Sequence, residues 1–289
     1  MRDPGQVFEE QRSYLFSIAY RLLGTVGDAE DAVQEAFLRW QREGARGEDV
    51  RLPRAYLATI VVRLCLDELR SARARREVYV GPWLPEPLLT SGRADLTDSL
   101  VQRESLSFAF LLMLESLSPL ERAVFVLREV FDYDYPEIAQ MVDKSEANCR
   151  QVFHRARQRL AERRTRFEPS RTQHEEVTRQ FIHAAATGEV QDLLRVLAED
   201  AVLISDGGGK AFAALQPVRT ADRVARGFLG AVQRMPPDQV WMDEVNGQPA
   251  LVASREGQVF AVLLLEVRDG LVQRLYSVVN PDKLRQLQK

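Results

Sequence analysis

Apolar residues recur with a helical period through roughly the first 160 positions of the chain, and with a period of two or in continuous runs after Val240. In the first stretch, Val7, Phe8, Tyr14, Leu15, Ile18, Ala19 and Leu22 share one side of a helix. Ala29, Ala32, Val33, Ala36, Phe37 and Trp40 share one side of the next. Residues 4–43 therefore predict two helices joined by the Gly24–Gly27 turn. The second is expected to open at Asp28, whose carboxylate can cap free amides and suits the positive end of the helix dipole. Glu43–Leu52 is a Gly- and charge-rich loop. Pro53, where a missing amide costs little, then opens a long helix to Arg76 that buries Tyr56, Leu57, Ile60, Val61, Leu64 and Cys65.

The stretch Leu117–Leu160 is the most specific. Tyr135–Val142 predicts a short helix with Ile138, Ala139 and Val142 inward, followed by a tight Asp143-Lys144 turn. Ser145 can cap the next helix, in which Cys149, Val152, Phe153, Ala156 and Leu160 form an apolar stripe. Its other faces carry Asn148, Arg150, Gln151, His154, Arg155, Arg157, Gln158 and Arg159. Short helix, brief turn and a basic helix with amide side chains near its start form a helix-turn-helix pattern, whose second helix meets base edges with its first turns.

Residues 77–100 begin with EVYVGPWLPEPLLTSG, and Pro82, Pro85 and Pro87 forbid regular structure there. Trp83 and Leu84 have no core of their own in such a segment, so docking on a neighbouring domain is expected. After Pro169, His174–Thr187, Val190–Leu197 and Asp222–Met235 predict helices. Val240–Val245, Ala250–Arg255, Gln258–Val267 and Leu271–Val279 predict strands, separated by tight turns at Asn246-Gly247, Glu256-Gly257 and Asp269-Gly270, of which Asn-Gly and Asp-Gly are strong hairpin signals. Helices followed by such a meander predict an α+β domain with a curled antiparallel sheet packed on helices.

Charge changes the picture locally. With 39 basic and 42 acidic residues in 289, any nucleic-acid site must be a patch. One patch is the second helix of the helix-turn-helix. The other holds Arg51, Arg54, Arg63, Arg70, Arg73, Arg75 and Arg76 against only Asp67 and Glu68. A loop beside a basic helix is the equipment for holding a strand whose bases leave the stack. On the Asp28–Trp40 helix, Asp31, Gln34, Glu35 and Leu38 form a polar face with a leucine set in it, suited either to a basic protein partner or to plain solvation. Cys65 and Cys149 occupy apolar helical positions and read as reduced, buried thiols. No signal peptide or membrane-length apolar run is evident, so a cytoplasmic chain is expected. His154, His174 and His183 are isolated, so no metal site is expected, and neither a nucleophile turn nor a P-loop is present. Asp243 and Glu244 lie on a predicted strand, where one could point into the curled sheet as a base.

The segments DAEDAVQEAFLRW and PRAYLATIVVRLCLDELRSARARR, followed by Leu117–Leu160, resemble regions 2 and 4 of bacterial sigma factors of the extracytoplasmic-function group. Arg63 stands where many of these have an asparagine. The strings Trp83–Pro87 (WLPEP), Asp206–Lys210 (DGGGK) and Asn280–Leu284 (NPDKL) resemble those of the subgroup with a fused SnoaL-like domain of the nuclear-transport-factor-like cone fold.

The resemblance implies two all-α modules followed by an α+β cone-like domain: region 2 over 1–77, a linker over 78–103, region 4 over 104–167 and the SnoaL-like domain over 171–289. It implies a sigma subunit that directs core RNA polymerase to promoter DNA, not an enzyme, without cofactor, monomeric when free and needing no separate anti-sigma factor. The alternative is a helix-turn-helix regulator with a ligand-sensing or enzymatic C-terminal domain. Asp31, Gln34, Glu35 and Leu38 are expected to bind polymerase. Arg54, Arg63, Arg70 and Arg73 are expected at the −10 element, and Ser145, Asn148, Arg150, Gln151, His154, Arg155 and Arg157 at the −35 element, with the remaining arginines on phosphates. Trp83, Leu84, Pro85, Asp206, Gly207, Gly208, Gly209, Lys210, Asn280, Pro281, Asp282, Lys283 and Leu284 are expected to form a regulatory contact between the fused domain and the rest.

Overall fold

The computed structural model describes residues 4–45, 52–76, 78–92, 104–161 and 170–288, which fall into two compact units. The first comprises the described residues up to 76 together with 104–106 and 110–161; the second comprises 78–92, 107–109 and 170–288. Most of the loop expected over 43–52 lies outside the described residues.

In the first unit, α1 (Pro4–Leu23), α2 (Val26–Ala45) and α3 (Pro53–Arg76) pack together. Leu15, Ile18, Leu22, Ala29, Ala36, Leu57, Val61 and Cys65 are fully buried between them. The α1–α2 turn is shorter than expected. Gly24 takes a positive φ of 76°, α2 begins at Val26, and Asp28 lies inside its first turn, where it accepts from the Thr25 hydroxyl at 2.5 Å. The helix starts early because Thr25, not Asp28, occupies the position before it.

Then come α4 (Phe108–Leu114), α5 (Pro119–Glu129), α6 (Tyr135–Val142) and α7 (Glu146–Ala161). Capping boxes start both α5 and α6: Ser118 and Glu121 exchange hydrogen bonds, as do Asp134 and Glu137. Asp143 ends α6 at φ 53°, and Ser145 accepts from the Asn148 amide at 3.3 Å to start α7. These caps set the sharp turn between α6 and α7. Cys149, Val152, Phe153, Ala156 and Leu160 are buried on the inner face of α7, with the Phe153 ring stacked 5.9 Å from Phe125 of α5.

The second unit is a six-stranded sheet covered by α8 (Arg171–Thr187), α9 (Val190–Leu194) and α10 (Ala221–Arg234). The strands are β1 (Leu197–Asp206), β2 (Val218–Arg219), β3 (Gln239–Val245), β4 (Gln248–Arg255), β5 (Gln258–Arg268) and β6 (Leu271–Val278), in the order β2-β1-β6-β5-β4-β3. Val177, Phe181, Val224 and Leu229 of the helices meet Leu203, Leu251, Leu263, Leu265 and Leu275 of the sheet. At all three hairpin turns both central residues take positive φ, as two-residue type I′ turns require.

Strand β1 departs from the sequence expectation, which had a helix running to Leu197 and no strand after it. Its acidic Glu199-Asp200 pair interrupts the period-two signal, and the register with β6 shifts between Leu197 and Val202. Since β1 pairs with β6 in parallel, the sheet is mixed, not antiparallel throughout.

Glu121 ties the start of α5 to α7. Burial pushes its carboxyl up, but hydrogen bonds from the Ser118 amide at 3.0 Å and hydroxyl at 2.8 Å, with Arg159 and Arg155 nearby, hold it below the ordinary value. A depressed carboxyl stabilises the fold above its unfolded pKa of about 4.3 and loses that contribution as pH falls through the folded value. Glu121→Gln should cost about 1 kcal/mol at pH 7, the typical worth of such a cap. Chemical denaturation should show the gap from wild type narrowing in acid; a gap independent of pH would contradict this role.

Candidate functional site

The helix-turn-helix presents the expected residues outward. Ser145, Asn148, Arg150, Gln151, His154, Arg155 and Arg157 are all exposed, at the cap and along the outer faces of α7. The sequence did not single out the aromatic platform behind them. The Arg150 guanidinium lies 4.4 Å from the Tyr135 ring centroid and 3.4 Å from the Glu146 carboxylate. Tyr135 is in turn packed edge-on to Phe153. Arg150 is thus pre-oriented, which lowers the entropy lost when a guanidinium is fixed against a base. Arg159, expected on phosphate, instead donates to Glu121 at 2.9 Å and completes the α5 cap. Arg163, Arg164 and Arg166, further along the same basic run of the sequence, lie outside the described residues.

On α2, Asp31, Gln34, Glu35 and Leu38 fall within an arc of about 100°. Asp31 and Gln34 are exposed, Glu35 pairs with Arg39 at 2.9 Å, and Leu38 is 38% exposed. The arginines of α3 are not on one face. At about 100° per residue, Arg63 and Arg70 are about 20° apart and Arg54 lies on the far side. The Arg54 guanidinium stands over the Tyr14 ring, 3.8 Å from its centroid, and Arg70 pairs with Asp67 at 2.9 Å. Arg63 donates to the carbonyls of Gln140 at 2.9 Å and Met141 at 3.2 Å. The side chain of Arg73 lies outside the described residues.

The three short strings meet within the second unit. Residues 78–92 run extended and belong to it, with Leu84 and Pro85 buried and Trp83 half-buried. Leu88 and Leu89 close the path at the β3–β4 turn: the Leu88 amide donates to Asn246 Oδ1 at 2.9 Å, and the Asn246 amide to the Leu88 carbonyl at 2.8 Å. At the other end sits Asp206, the last residue of β1, with no exposed surface. Its Oδ2 accepts from the Leu84 amide at 2.8 Å and from Lys283 Nζ at 2.7 Å, and its Oδ1 from the Tyr79 hydroxyl at 2.6 Å. Its carbonyl takes the amides of Val279 and Asn280, both at 2.9 Å. The ammonium of Lys283 also donates to the Leu84 carbonyl at 2.5 Å and stands 4.3 Å from the Trp83 ring. One carboxylate therefore collects WLPEP by its backbone, NPDKL by its lysine, and Tyr79 by its hydroxyl. Burial and the bond to Asp206 push that phenol up, so it stays protonated and donates.

The glycines after Asp206 are required by this closeness. A Cβ on Gly208 would lie 2.3 Å from Asn280 Nδ2, and one on Gly207 2.5 Å from the Ala211 carbonyl, while Gly208 and Gly209 adopt φ of 57° and 70°. Lys210 ion-pairs with Asp282 at the rim, and Asn280 caps the turn over Pro281–Lys283 by accepting from the Asp282 amide, with Leu284 buried after it. Tyr79 and Asn246 are the contributors that sequence reasoning missed. Both act on residues more than 120 positions away: nothing local marks Tyr79, and the Asn-Gly pair marks Asn246 only as a turn residue. The suggested base residues are engaged elsewhere: Glu244 pairs with Arg171 at 2.8 Å, and Asp243 accepts from the Glu244 amide at 2.8 Å. Among the described residues no group of His, Cys, Asp and Glu could hold a metal ion.

Removing Lys283 leaves the Asp206 carboxylate buried without its cation, a change that costs about 3–5 kcal/mol in buried pairs. Lys283→Met should lower stability by that order, and Asp206→Asn combined with Lys283→Met should cost clearly less than the two single effects together. A double-mutant cycle by urea denaturation measures the difference; strict additivity would mean that the pair does not act as one unit.

Comparison with known proteins bears on the whole chain. Residues 7–75 match the family model for Sigma-70 region 2, and residues 107–160 that for Sigma-70, region 4. The chain is 40% identical over 291 residues to the ECF RNA polymerase sigma factor SigJ of Mycobacterium tuberculosis, spanning 96% of this chain and 91% of that protein. It is 35% identical over 275 residues to the probable ECF RNA polymerase sigma factor SigI of the same species, spanning 94% and 92%. The crystal structure of the M. tuberculosis SigJ superposes with a TM-score of 0.75 at 37% identity and covers 96% of each chain. No helix among the described residues is long and apolar enough to cross a membrane. With region 2, region 4 and a C-terminal mixed-sheet domain all matched in order, the chain belongs to the extracytoplasmic-function RNA polymerase sigma factors.

Proposed function

We propose that this sigma factor is regulated by its own C-terminal domain, which holds the segment joining regions 2 and 4 at Asp206. As a sigma factor the chain directs RNA polymerase to promoters. The observation that supports regulation in cis is the convergence of WLPEP, DGGGK and NPDKL on one buried carboxylate. The connecting segment limits how the two DNA-reading modules can be separated, so holding or releasing it changes promoter affinity without altering a DNA contact. Such a restraint needs no separate anti-sigma factor, and the chain works in the cytoplasm beside polymerase and promoter.

In the same reading, Asp31, Gln34, Glu35 and Leu38 bind core polymerase. Arg54, Arg63, Arg70 and Arg73 serve the −10 side, and Asn148 to Arg157 the −35 element, with Ser145 setting the start of the reading helix. The C-terminal domain has no catalytic role: its candidate acids are held in the ion pair and backbone contacts described above.

Run-off transcription with core polymerase on a cognate promoter should give promoter-specific product from the full chain. Trp83→Ala and Asp206→Ala should each change its amount, and the double variant should match the stronger single one, because both break one contact. Product unaffected by either would overturn regulation through this site.

Arg150→Ala should flatten preference at one −35 position, with about 1–3 kcal/mol of discrimination lost. Tyr135→Ala should lose part of that discrimination and Tyr135→Phe should keep it, because the ring alone orients the guanidinium. Equal base preference in the Tyr135→Ala variant and wild type, measured by competition binding, would contradict the platform.

A further inference from the structure

The sheet of the second unit has two edges, and they are finished differently. One is β2, only two residues long and too short to recruit another strand. The other is β3, which pairs with β4 from Gln239 to Val245 and has no further strand beyond it among the described residues. Only the end of β3 is covered on that side. Leu89 bridges to Val245, the Thr90 amide donates to the Glu244 carbonyl at 2.9 Å, and the Asn246 amide to the Leu88 carbonyl at 2.8 Å. Pro236 and Pro237 stand before the start of the strand. Between these limits lies Gln239–Asp243, which has neither the lysine nor the proline that commonly blunts an edge.

The same bonds fix which backbone groups face outward. In an antiparallel strand the amide and carbonyl of one residue point to the same side, and the side alternates from residue to residue. Glu244 and Asn246 point to the linker, so Val240 and Met242 point outward too, while Trp241 and Asp243 bond to β4. Among the described residues nothing meets the outward groups of Val240 and Met242. Their side chains are 48% and 38% exposed, and Trp241 between them is half-buried.

We propose that this edge is closed by the same edge of a second copy of the chain, antiparallel about a two-fold axis at Trp241. The axis sets Trp241 opposite the partner's Trp241, Val240 opposite the partner's Met242, and Gln239 opposite the partner's Asp243. Val240 and Met242 then form the hydrogen-bonded pairs, each exchanging both N–H···O bonds, so the outward groups are satisfied. Trp241 falls at the pair between them, where side chains approach most closely and two aromatic rings contribute most. At the ends an amide side chain meets a carboxylate, and no like charges face each other. The neighbouring registers are blocked. An axis one residue later sets Val240 against Glu244, whose carbonyl Thr90 already holds. An axis one residue earlier sets Met242 against Asp238, whose amide already donates to the Ser254 carbonyl at 2.9 Å. So short a stretch makes a small contact, and the association is weak and concentration-dependent. It replaces the monomer expected from the resemblance, and requires neither polymerase nor promoter.

The test uses the full chain. Sedimentation equilibrium should show the average mass rising with concentration from 32.9 kDa towards twice that value. Val240→Pro removes an outward amide and no bond to β4, and Met242→Lys sets a charge in the pairing. Both should need higher concentrations to dimerise, the first by about 25-fold, from two lost bonds per dimer at about five-fold each. Trp241→Cys should cross-link with oxidised glutathione, because facing Cα atoms at such a pair lie about 4.5 Å apart. Cys65 and Cys149 are buried. Asp243→Cys alone should not cross-link, its copy lying about 14 Å away along the ladder at ~3.4 Å per residue; combined with Gln239→Cys it should. A monomer mass at every concentration would overturn the pairing, whether the Met242 amide then exchanges freely or is protected by another segment of the same chain. Dimers unaffected by both Val240→Pro and Met242→Lys would lie elsewhere on the surface and overturn it as well. So would cross-linking of Asp243→Cys alone as readily as Trp241→Cys.

Discussion

Asp206 is a carboxylate with no route to water, and that constraint organises the C-terminal half of the chain. A buried charge must be matched by a cation and by donors, or the domain is destabilised by several kcal/mol. β1 carries it to the end of the parallel β1–β6 pair, where the chain leaving β6 supplies Lys283 to the carboxylate and two backbone amides to the main-chain carbonyl of the same residue. Two donors remain to be found, and they come from the Leu84 amide and the Tyr79 hydroxyl. The domain therefore completes its own electrostatics only by taking hold of the segment that joins the sigma modules.

That dependence explains why the three strings have such different chemistry. WLPEP is rigid, with prolines keeping the backbone extended so that the Leu84 amide is free to point at a side chain. The glycines of DGGGK leave room where Asn280 approaches. NPDKL turns tightly so that Lys283 faces back to Asp206 and lies against Trp83. Each string is meaningful only in the presence of the other two.

Much of this was legible in the sequence where the signal was local. The stripe from Cys149 to Leu160 has one period and one cap, and the hairpin turns carry residue pairs that tolerate positive φ; both elements form as read. Strand β1 was missed because a shift in register interrupts its alternation at Glu199-Asp200. Among arginines, the pattern could mark a basic face but could not say which member was already taken. Arg63 and Arg159 look like their neighbours in sequence, and what distinguishes them are carbonyls 77 and 78 positions away and a carboxylate 38 positions away. Tyr79 was invisible for the same reason. Local periodicity shows surfaces; the assignment of a charged group to a partner is a long-range fact.

Asp206 holds the linker, and the amide of Leu84 reports on that hold directly. Hydrogen exchange on the full chain should show that amide protected in wild type. In Asp206→Asn, which keeps the size of the side chain, exchange at Leu84 should accelerate by at least an order of magnitude, while amides in the middle of β5 remain as slow as before. Free exchange at Leu84 in wild type, or unchanged protection in the variant, would contradict the account.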